Sequence, residues 1–227
     1  MRVAVGSVFC NSAGYVKRYV TLFQSLVQAA PQHSFDAALV EGDSTDNTWD
    51  LLNEAFPGQV VKRAHGGPIF GSGSPCIEQR ERQKSYADSG ILDQITSLHE
   101  ALIYVESDLV WEPGTMIRLL DRLQEVDAVV PLCLCDNREH MFYDTWAYSS
   151  GGIGFRDPPP FHPMFKTPSP NGMYPMDYAG SCFVVRGDVA RVCKFEPPER
   201  EVLSFCDSMR SHGYKLWVDP KVNVRHP

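Results

Sequence analysis

Five short apolar runs, separated by helix-like segments, occupy the first 135 residues and leave few folds open to the chain. Val3-Ala-Val-Gly-Ser-Val-Phe9, Phe35-Asp-Ala-Ala-Leu-Val40, Gln59-Val-Val-Lys-Arg63, Ala101-Leu-Ile-Tyr-Val105 and Ala128-Val-Val-Pro-Leu-Cys-Leu134 read as strands. Between the first two, Tyr15, Val16, Tyr19, Val20, Phe23, Leu26 and Val27 recur at three- and four-residue spacing, which predicts an amphipathic helix capped near Asn11-Ser12 and stopped by Pro31. A Ser/Thr/Asp cluster before Trp49, Leu52 and Phe56 predicts a second helix, and Pro57-Gly58 closes it. A third is expected from Glu78 to Leu98, and a fourth opens at Pro113 with Met116, Ile117, Leu120 and Leu123 inward. This alternation is that of an α/β protein, a mostly parallel sheet with helices on both faces. Pro131 places the fifth strand at an edge or beside a bulge.

The texture changes after Cys135. Residues 136–180 hold Tyr143-Asp-Thr-Trp-Ala-Tyr148, Gly151-Gly152 and seven prolines between Pro158 and Pro175. So long a connection carries function or moves, and its aromatics on a proline-stiffened loop suit ligand contacts. Regular structure resumes with a strand at Ser181–Val185, a short helix near Asp188, a helix around Val202–Arg210 ended by Gly213, and two strands, Lys215–Asp219 and Val222–His226. With no internal repeat or linker, the expectation is a single domain, 1–227, with an elaborated loop region on one side.

Charge and cysteine usage narrow the function. With 21 basic and 28 acidic residues the formal charge is −7, which argues against a protein that mainly coats nucleic acid. No apolar run approaches the roughly 18–20 residues needed to span a bilayer, so no membrane anchor is expected. Seven scattered cysteines, mostly beside apolar neighbours, suggest buried reduced thiols and a cytoplasmic setting.

The chemistry concentrates at the end of the fourth strand, in Leu102-Ile-Tyr-Val-Glu106-Ser-Asp108-Leu-Val-Trp111. If the chain stays extended, Glu106 and Asp108 point to one side, into the crevice where open α/β sheets bind ligands. Hard oxygen ligands there suit Mg²⁺ or Mn²⁺ on phosphates. The same acids fit an ordinary role as caps of the helix begun by Pro113. The glycine-rich stretch from Ala64 to Pro75 matches neither phosphate-binding fingerprint and reads as a mobile loop. Arg80, Arg82 and Lys84 read as a solvated face or, less simply, as cations for a diphosphate. His226 by itself is a residue near a strand end.

Taken together, three stretches resemble the GT-A class of nucleotide-sugar glycosyltransferases, including its family-2-like members. Val40-Glu-Gly-Asp-Ser-Thr-Asp-Asn-Thr48 resembles the acidic turn that holds base and ribose. Tyr104-Val-Glu-Ser-Asp108 resembles the Asp-x-Asp metal motif with glutamate first. The segment from Glu201 to His226 resembles the last helix, strand and metal-ligand histidine of that class. Met141-Phe-Tyr-Asp-Thr-Trp146 is similar to the Tyr-Asp-Thr motif of the Anp1/Mnn9-type mannosyltransferases. The resemblance implies a GT-A fold, with residues 1–135 binding the nucleotide sugar and 136–227 serving acceptor and catalysis. It implies a UDP- or GDP-sugar donor and a Mn²⁺ (or Mg²⁺) cofactor held by Asp108 and His226. Asn11, Glu41, Asp43, Arg82, Glu106 and Trp146 become donor or acceptor contacts, with Glu106 at the ribose or a metal-bound water. Glu201 and Asp144 become the catalytic candidates, as general base and as orienter of sugar hydroxyls. Val202 stands where a base aspartate is usual in inverting members, and Gly90-Ile91 where an Arg-Asn pair is usual, so inversion and retention both stay open.

A hydroxyl on a glycan, protein or lipid would serve as acceptor. For a bacterial or phage enzyme the acceptor could also be a hydroxymethylated pyrimidine of DNA, with Lys62, Arg63, Arg80, Arg82 and Lys84 as the docking patch. Two rivals are a sugar-nucleotidyltransferase and a non-catalytic nucleotide- or glycan-binding module. The first needs a basic loop after the first strand, where this chain has Cys10-Asn-Ser-Ala-Gly14.

Overall fold

The predicted alternation is present, threaded into one mixed sheet of eight strands. A computed structural model describes residues 1–68, 77–136, 141–196 and 201–227, without the side chains of Ile77 and Glu201. Strands β1 (Arg2–Phe9), β2 (Ser34–Glu41), β3 (Val60–Lys62), β4 (Ala101–Val105) and β5 (Ala128–Cys135) fall on the five apolar runs. Helices α1 (Ala13–Ala29), α2 (Thr48–Ala55), α3 (Ile77–Leu92) and α4 (Pro113–Arg122) fall between them. Further on come two-residue β6 (Ser149–Ser150) and β7 (Ile153–Gly154), then β8 (Tyr174–Met176), β9 (Cys182–Arg186), α5 (Gly187–Val192), α6 (Glu201–Ser211) and β10 (Leu216–His226). Part of the glycine-rich loop, beyond Pro68, lies outside the described residues.

The sheet order is β3-β2-β1-β4-β9-β5-β10-β8. Strands β1 to β4 are mutually parallel, as are β5 and β10, while β9 runs antiparallel between β4 and β5. Every residue of β4 is buried, as an apolar run without alternation requires of a strand covered on both faces. On one face α1, α2 and α4 bury Tyr19, Phe23, Leu52, Met116 and Leu120 against Val5, Ile103 and Val129. On the other, α3, α5 and α6 bury Ile91, Val189 and Phe205 against Ala4, Tyr104 and Val130. Gly6 sets how closely α3 lies on β1: a Cβ there would meet Ile91 Cγ2 at 2.4 Å.

Two expectations are corrected and one is decided. Of the two places expected for Pro131, an edge or a bulge, the structure shows the bulge: strand β5 is interior, with Val130 paired to Val218 and Leu132 to Asn223. That bulge joins the two expected terminal strands into β10. Helix α3 stops at Leu92 rather than Leu98, and Ile95 then turns into the core. Among the described residues no helix is long and apolar enough to cross a membrane.

Candidate functional site

The carboxyl ends of β1, β2 and β4 lie side by side, and β10 brings His226 to them. Beyond Val105 the chain turns, with Leu109 N bonded to Glu106 O at 3.2 Å, so the extended same-side geometry expected for Glu106 and Asp108 is replaced by a turn. Val110 and Arg225 then exchange two backbone hydrogen bonds of 2.8 Å. That bridge sets His226 Nε2 3.1 Å from Asp108 Oδ2. Arg18 of α1 fixes the same turn from behind, its guanidinium donating to Asp108 O at 2.5 Å. Burial pushes the Asp108 carboxyl up, but the His226 hydrogen bond and charge, with smaller help from its own backbone and Lys84, hold it below the ordinary range. The His226 hydrogen bond to Asp108 raises the imidazole above its ordinary value, against the effect of burial.

Asp108 Oδ1 is buried and has no hydrogen-bond partner among the described residues, a costly state that a cation would relieve. Adjacent ligands of an octahedral Mg²⁺-like shell sit roughly 3 Å apart, which the Asp108–His226 separation of 3.1 Å matches. Carboxylate plus imidazole suits Mn²⁺ somewhat better than Mg²⁺. Among the described residues no group of three or more His, Cys, Asp or Glu side chains gathers as a metal site. The two ligands therefore fit a cation whose shell is completed by phosphate and water, as is usual for ions of this kind.

Glu106 is turned to α3, where Lys84 Nζ lies 2.5 Å from Oε1. The cation that α3 supplies to the acidic cluster is thus Lys84. Arg82, expected as a donor contact, is exposed and paired with Glu78 one helical turn back at 2.7 Å. The other bases of the supposed docking patch are also matched by acids: Lys62 by Glu41, Arg63 by Asp93 and Arg80 by Glu81. A compensated patch loses most of its pull on a polyanion.

On the β1–β2 side, Asn11, Glu41 and Asp43 are gathered in one cross-linked turn. Asn11 (φ 48°) and Asp43 (φ 53°) both adopt the left-handed region, uncommon for residues other than glycine. Asn11 Oδ1 accepts from Thr45 N at 2.8 Å, and Glu41 Oε1 from Ser44 N at 2.6 Å. Asp43 Oδ2 accepts from His65 N at 2.7 Å and Gly66 N at 3.1 Å. Glu41 is fully buried, and among the described residues its Oε2 lacks a hydrogen-bond partner although Lys62 Nζ stands 3.8 Å away.

Asp144, expected to orient sugar hydroxyls, lies inside the protein. It has no exposed surface, and it accepts hydrogen bonds from Ser181 N at 3.0 Å and Ser181 Oγ at 2.9 Å. Burial, then the nearby Glu106 charge, push its carboxyl up to about 7, while Ser181 and the Cys133 thiol restrain the rise. Its place is structural support: Gly180 lies so close that a Cβ would meet Asp144 Oδ2 at 2.7 Å. Trp146 stands 40% exposed on the same segment. Glu201 begins α6, and its side chain lies outside the described ones. The sequence reading missed Arg18 and Tyr143, whose ring stacks on His226 with centroids 3.8 Å apart and planes 10° from parallel. Only the Tyr143-Asp144 dipeptide signalled the latter.

No family model matches the chain, and no curated protein matches it. Solved structures do. A mannosyltransferase from Pyrobaculum calidifontis, in complex with GDP-Man and Mn²⁺, superposes with a TM-score of 0.61 at 14% identity, over 99% of this chain and 56% of that one. S. aureus TarS in complex with UDP-GlcNAc gives 0.55 at 15% identity, over 99% and 58%. Glucosyl-3-phosphoglycerate synthase from Mycobacterium tuberculosis, with phosphoglyceric acid, gives 0.58 at 13% identity, over 99% and 70%. The chain spans little more than half the length of the first two. Likeness at such identities establishes architecture: this chain has the Rossmann-like GT-A fold.

Proposed function

We propose that the protein is a metal-dependent glycosyltransferase that moves a sugar from a UDP- or GDP-sugar to a hydroxyl acceptor. The observation that carries the reading is the Asp108–His226 pair, with its orphaned buried carboxylate oxygen, at the joined strand ends of a GT-A fold. Asp108 and His226 would hold Mn²⁺ or Mg²⁺, which when bound supplies Lewis-acid neutralisation of the departing diphosphate. Glu106 and Lys84 border that position; Lys84 places a positive charge beside it, and Glu106 keeps Lys84 there. The Asn11–Glu41–Asp43 turn would receive the nucleoside. In this reading residues 1–135 bind the donor, and 136–227 contribute His226, the acceptor face with exposed Trp146, and Glu201 as the carboxylate proposed to accept the acceptor proton. Fold likeness to nucleotide-sugar-bound enzymes supports the class of donor.

The nucleotidyltransferase alternative loses ground in the β1–α1 turn. There the amides of Asn11, Ser12 and Ala13 already donate to Ser44, Thr48 and Asp46, leaving no cradle for a triphosphate. Transfer to DNA loses its basic patch, and a glycan, protein or lipid hydroxyl is the acceptor we favour. Cys10, Cys133, Cys182, Cys193 and Cys206 are free thiols, which suits a reducing compartment such as the cytoplasm. The test is hydrolysis of a UDP- and GDP-sugar panel with Mn²⁺, wild type against Asp108→Ala. Slow release of nucleoside diphosphate, abolished in the variant, is the expected result. A well-folded wild type that turns over no donor on the panel would overturn the proposal.

A further inference from the structure

Tyr143 has no part in the function proposed above, yet its ring is the surface that His226 rests on. The imidazole belongs to the last residue of β10, and the torsion that sets its plane is broad in any histidine. Its Nδ1 lies 3.1 Å from Pro227 O and its Nε2 3.1 Å from Asp108 Oδ2. Neither bond stops the ring from tilting about the line that joins them. The Tyr143 ring does, at 3.8 Å and 10°.

Tyr143 is in turn held on both sides. Its amide donates to Cys133 O at 2.8 Å, on the strand whose Cys135 pairs with His226. The next residue is Asp144, locked to Ser181 by two hydrogen bonds, with Ala147 N and Tyr148 N bonded back to Asp144 O. The preceding residue, Phe142, is buried against Tyr148, Phe155 and Phe161. The fully buried Asp144 carboxylate thereby anchors the segment that presents Tyr143.

We propose that Tyr143 is a positioning residue that stacks on His226 and fixes its ring so that Nε2 and Asp108 are offered together to a divalent cation, with Asp144 acting through it. The inference rests on the metal-dependent reading above. It also makes a claim about the metal-free protein, that the ring orientation of His226 depends on Tyr143.

The test compares Tyr143→Phe, which keeps the ring, with Tyr143→Leu, which keeps apolar bulk and loses the stack. Mn²⁺ binding is followed by electron paramagnetic resonance in the presence of UDP or GDP, and the His226 ring protons by NMR without metal. The Phe variant is expected to match wild type in both. The Leu variant is expected to bind Mn²⁺ on the order of ten-fold more weakly, the size of effect seen when supports of a metal ligand are removed. Its His226 protons lose their upfield ring-current shift and their contacts to Asp108, while its thermal midpoint stays near that of Phe. Unchanged Mn²⁺ affinity and unchanged His226–Asp108 contacts in a folded Leu variant would overturn the inference. If wild type binds no Mn²⁺ with either nucleotide, the metal-dependent reading fails by itself, and the metal-free NMR comparison still decides whether Tyr143 orients His226.

Discussion

Asp108 and Glu106, two residues apart and chemically alike, have been given different surroundings, and the difference predicts different consequences of mutation. Asp108 shares His226 and keeps one buried oxygen without a partner, whereas Glu106 is bound to Lys84. Asp108→Asn is expected to lower Mn²⁺-dependent donor hydrolysis by on the order of a hundred-fold or more. Glu106→Gln is expected to lower it less, by roughly ten-fold, and chiefly through KM; steady-state kinetics on both variants checks the ranking. Asp144 offers a separate test through pH. Its carboxyl titrates at about 7 in the folded chain, raised by burial above the ordinary 3.8. The folded state therefore holds the proton more tightly than the unfolded one, and the stability this gives is lost as pH rises from about 4 through 7. Asp144→Asn cannot ionise and keeps acceptor capacity for Ser181. The Tm of the variant relative to wild type should climb between pH 5 and 7.5 and level off above. A difference that stays constant over that range would show that Asp144 is already ionised.

Strand β10 does more than any other element to assemble the candidate site, and it was the element least legible beforehand. Lys215–Asp219 and Val222–His226 read as separate strands, with Pro220 between them. In the fold the interruption becomes a bulge, stabilised by Asp219, which is fully buried and bonded to Arg118 at 2.8 Å and Arg122 at 3.0 Å. Burial pushes the Asp219 carboxyl up, but Arg118, the Lys221 amide and Arg122 together draw it below the ordinary range. Its stabilising effect is therefore present above about pH 4 and lost as pH falls through its lowered folded value. Asp219→Ala is expected to cost about 2–4 kcal/mol at pH 7, with the gap to wild type closing toward pH 3, as urea unfolding at the two pH values would show. An equal gap at both would remove the ion pairs as the cause. The antiparallel β9 was also read as a strand, but its slot between β4 and β5 could not be, since strand order depends on long-range pairing that no local pattern encodes. The residues gathered at the strand ends were legible where a short acidic turn follows an apolar run, as at Glu41, Asp43 and Asp108. Arg18 and Tyr143 were not, because an arginine on a helix face and a tyrosine in a loop carry no periodic signal.

Across the fold, the parts of the site come from far-separated stretches of chain: Asn11 after β1, the Glu41–Asp43 turn after β2, Asp108 after β4 and His226 at the end of β10. This division makes a prediction about ligand synergy. In the proposed site two protein ligands would hold a divalent cation weakly in water, and a diphosphate without a cation would meet the Asp108 carboxylate as a like charge. Mn²⁺ alone and UDP or GDP alone should each move the thermal midpoint little. Together, each supplies what the other lacks, and at a hundred times the dissociation constant the stabilisation is about 2.7 kcal/mol. For a domain of this size that corresponds to a rise of roughly 5–10 °C. Asp108→Ala should abolish the combined shift, measured against the variant's own unliganded midpoint because the substitution also removes the His226 hydrogen bond. Shifts that merely add, or a full combined shift in Asp108→Ala, would mean that nucleotide and metal meet somewhere other than these strand ends.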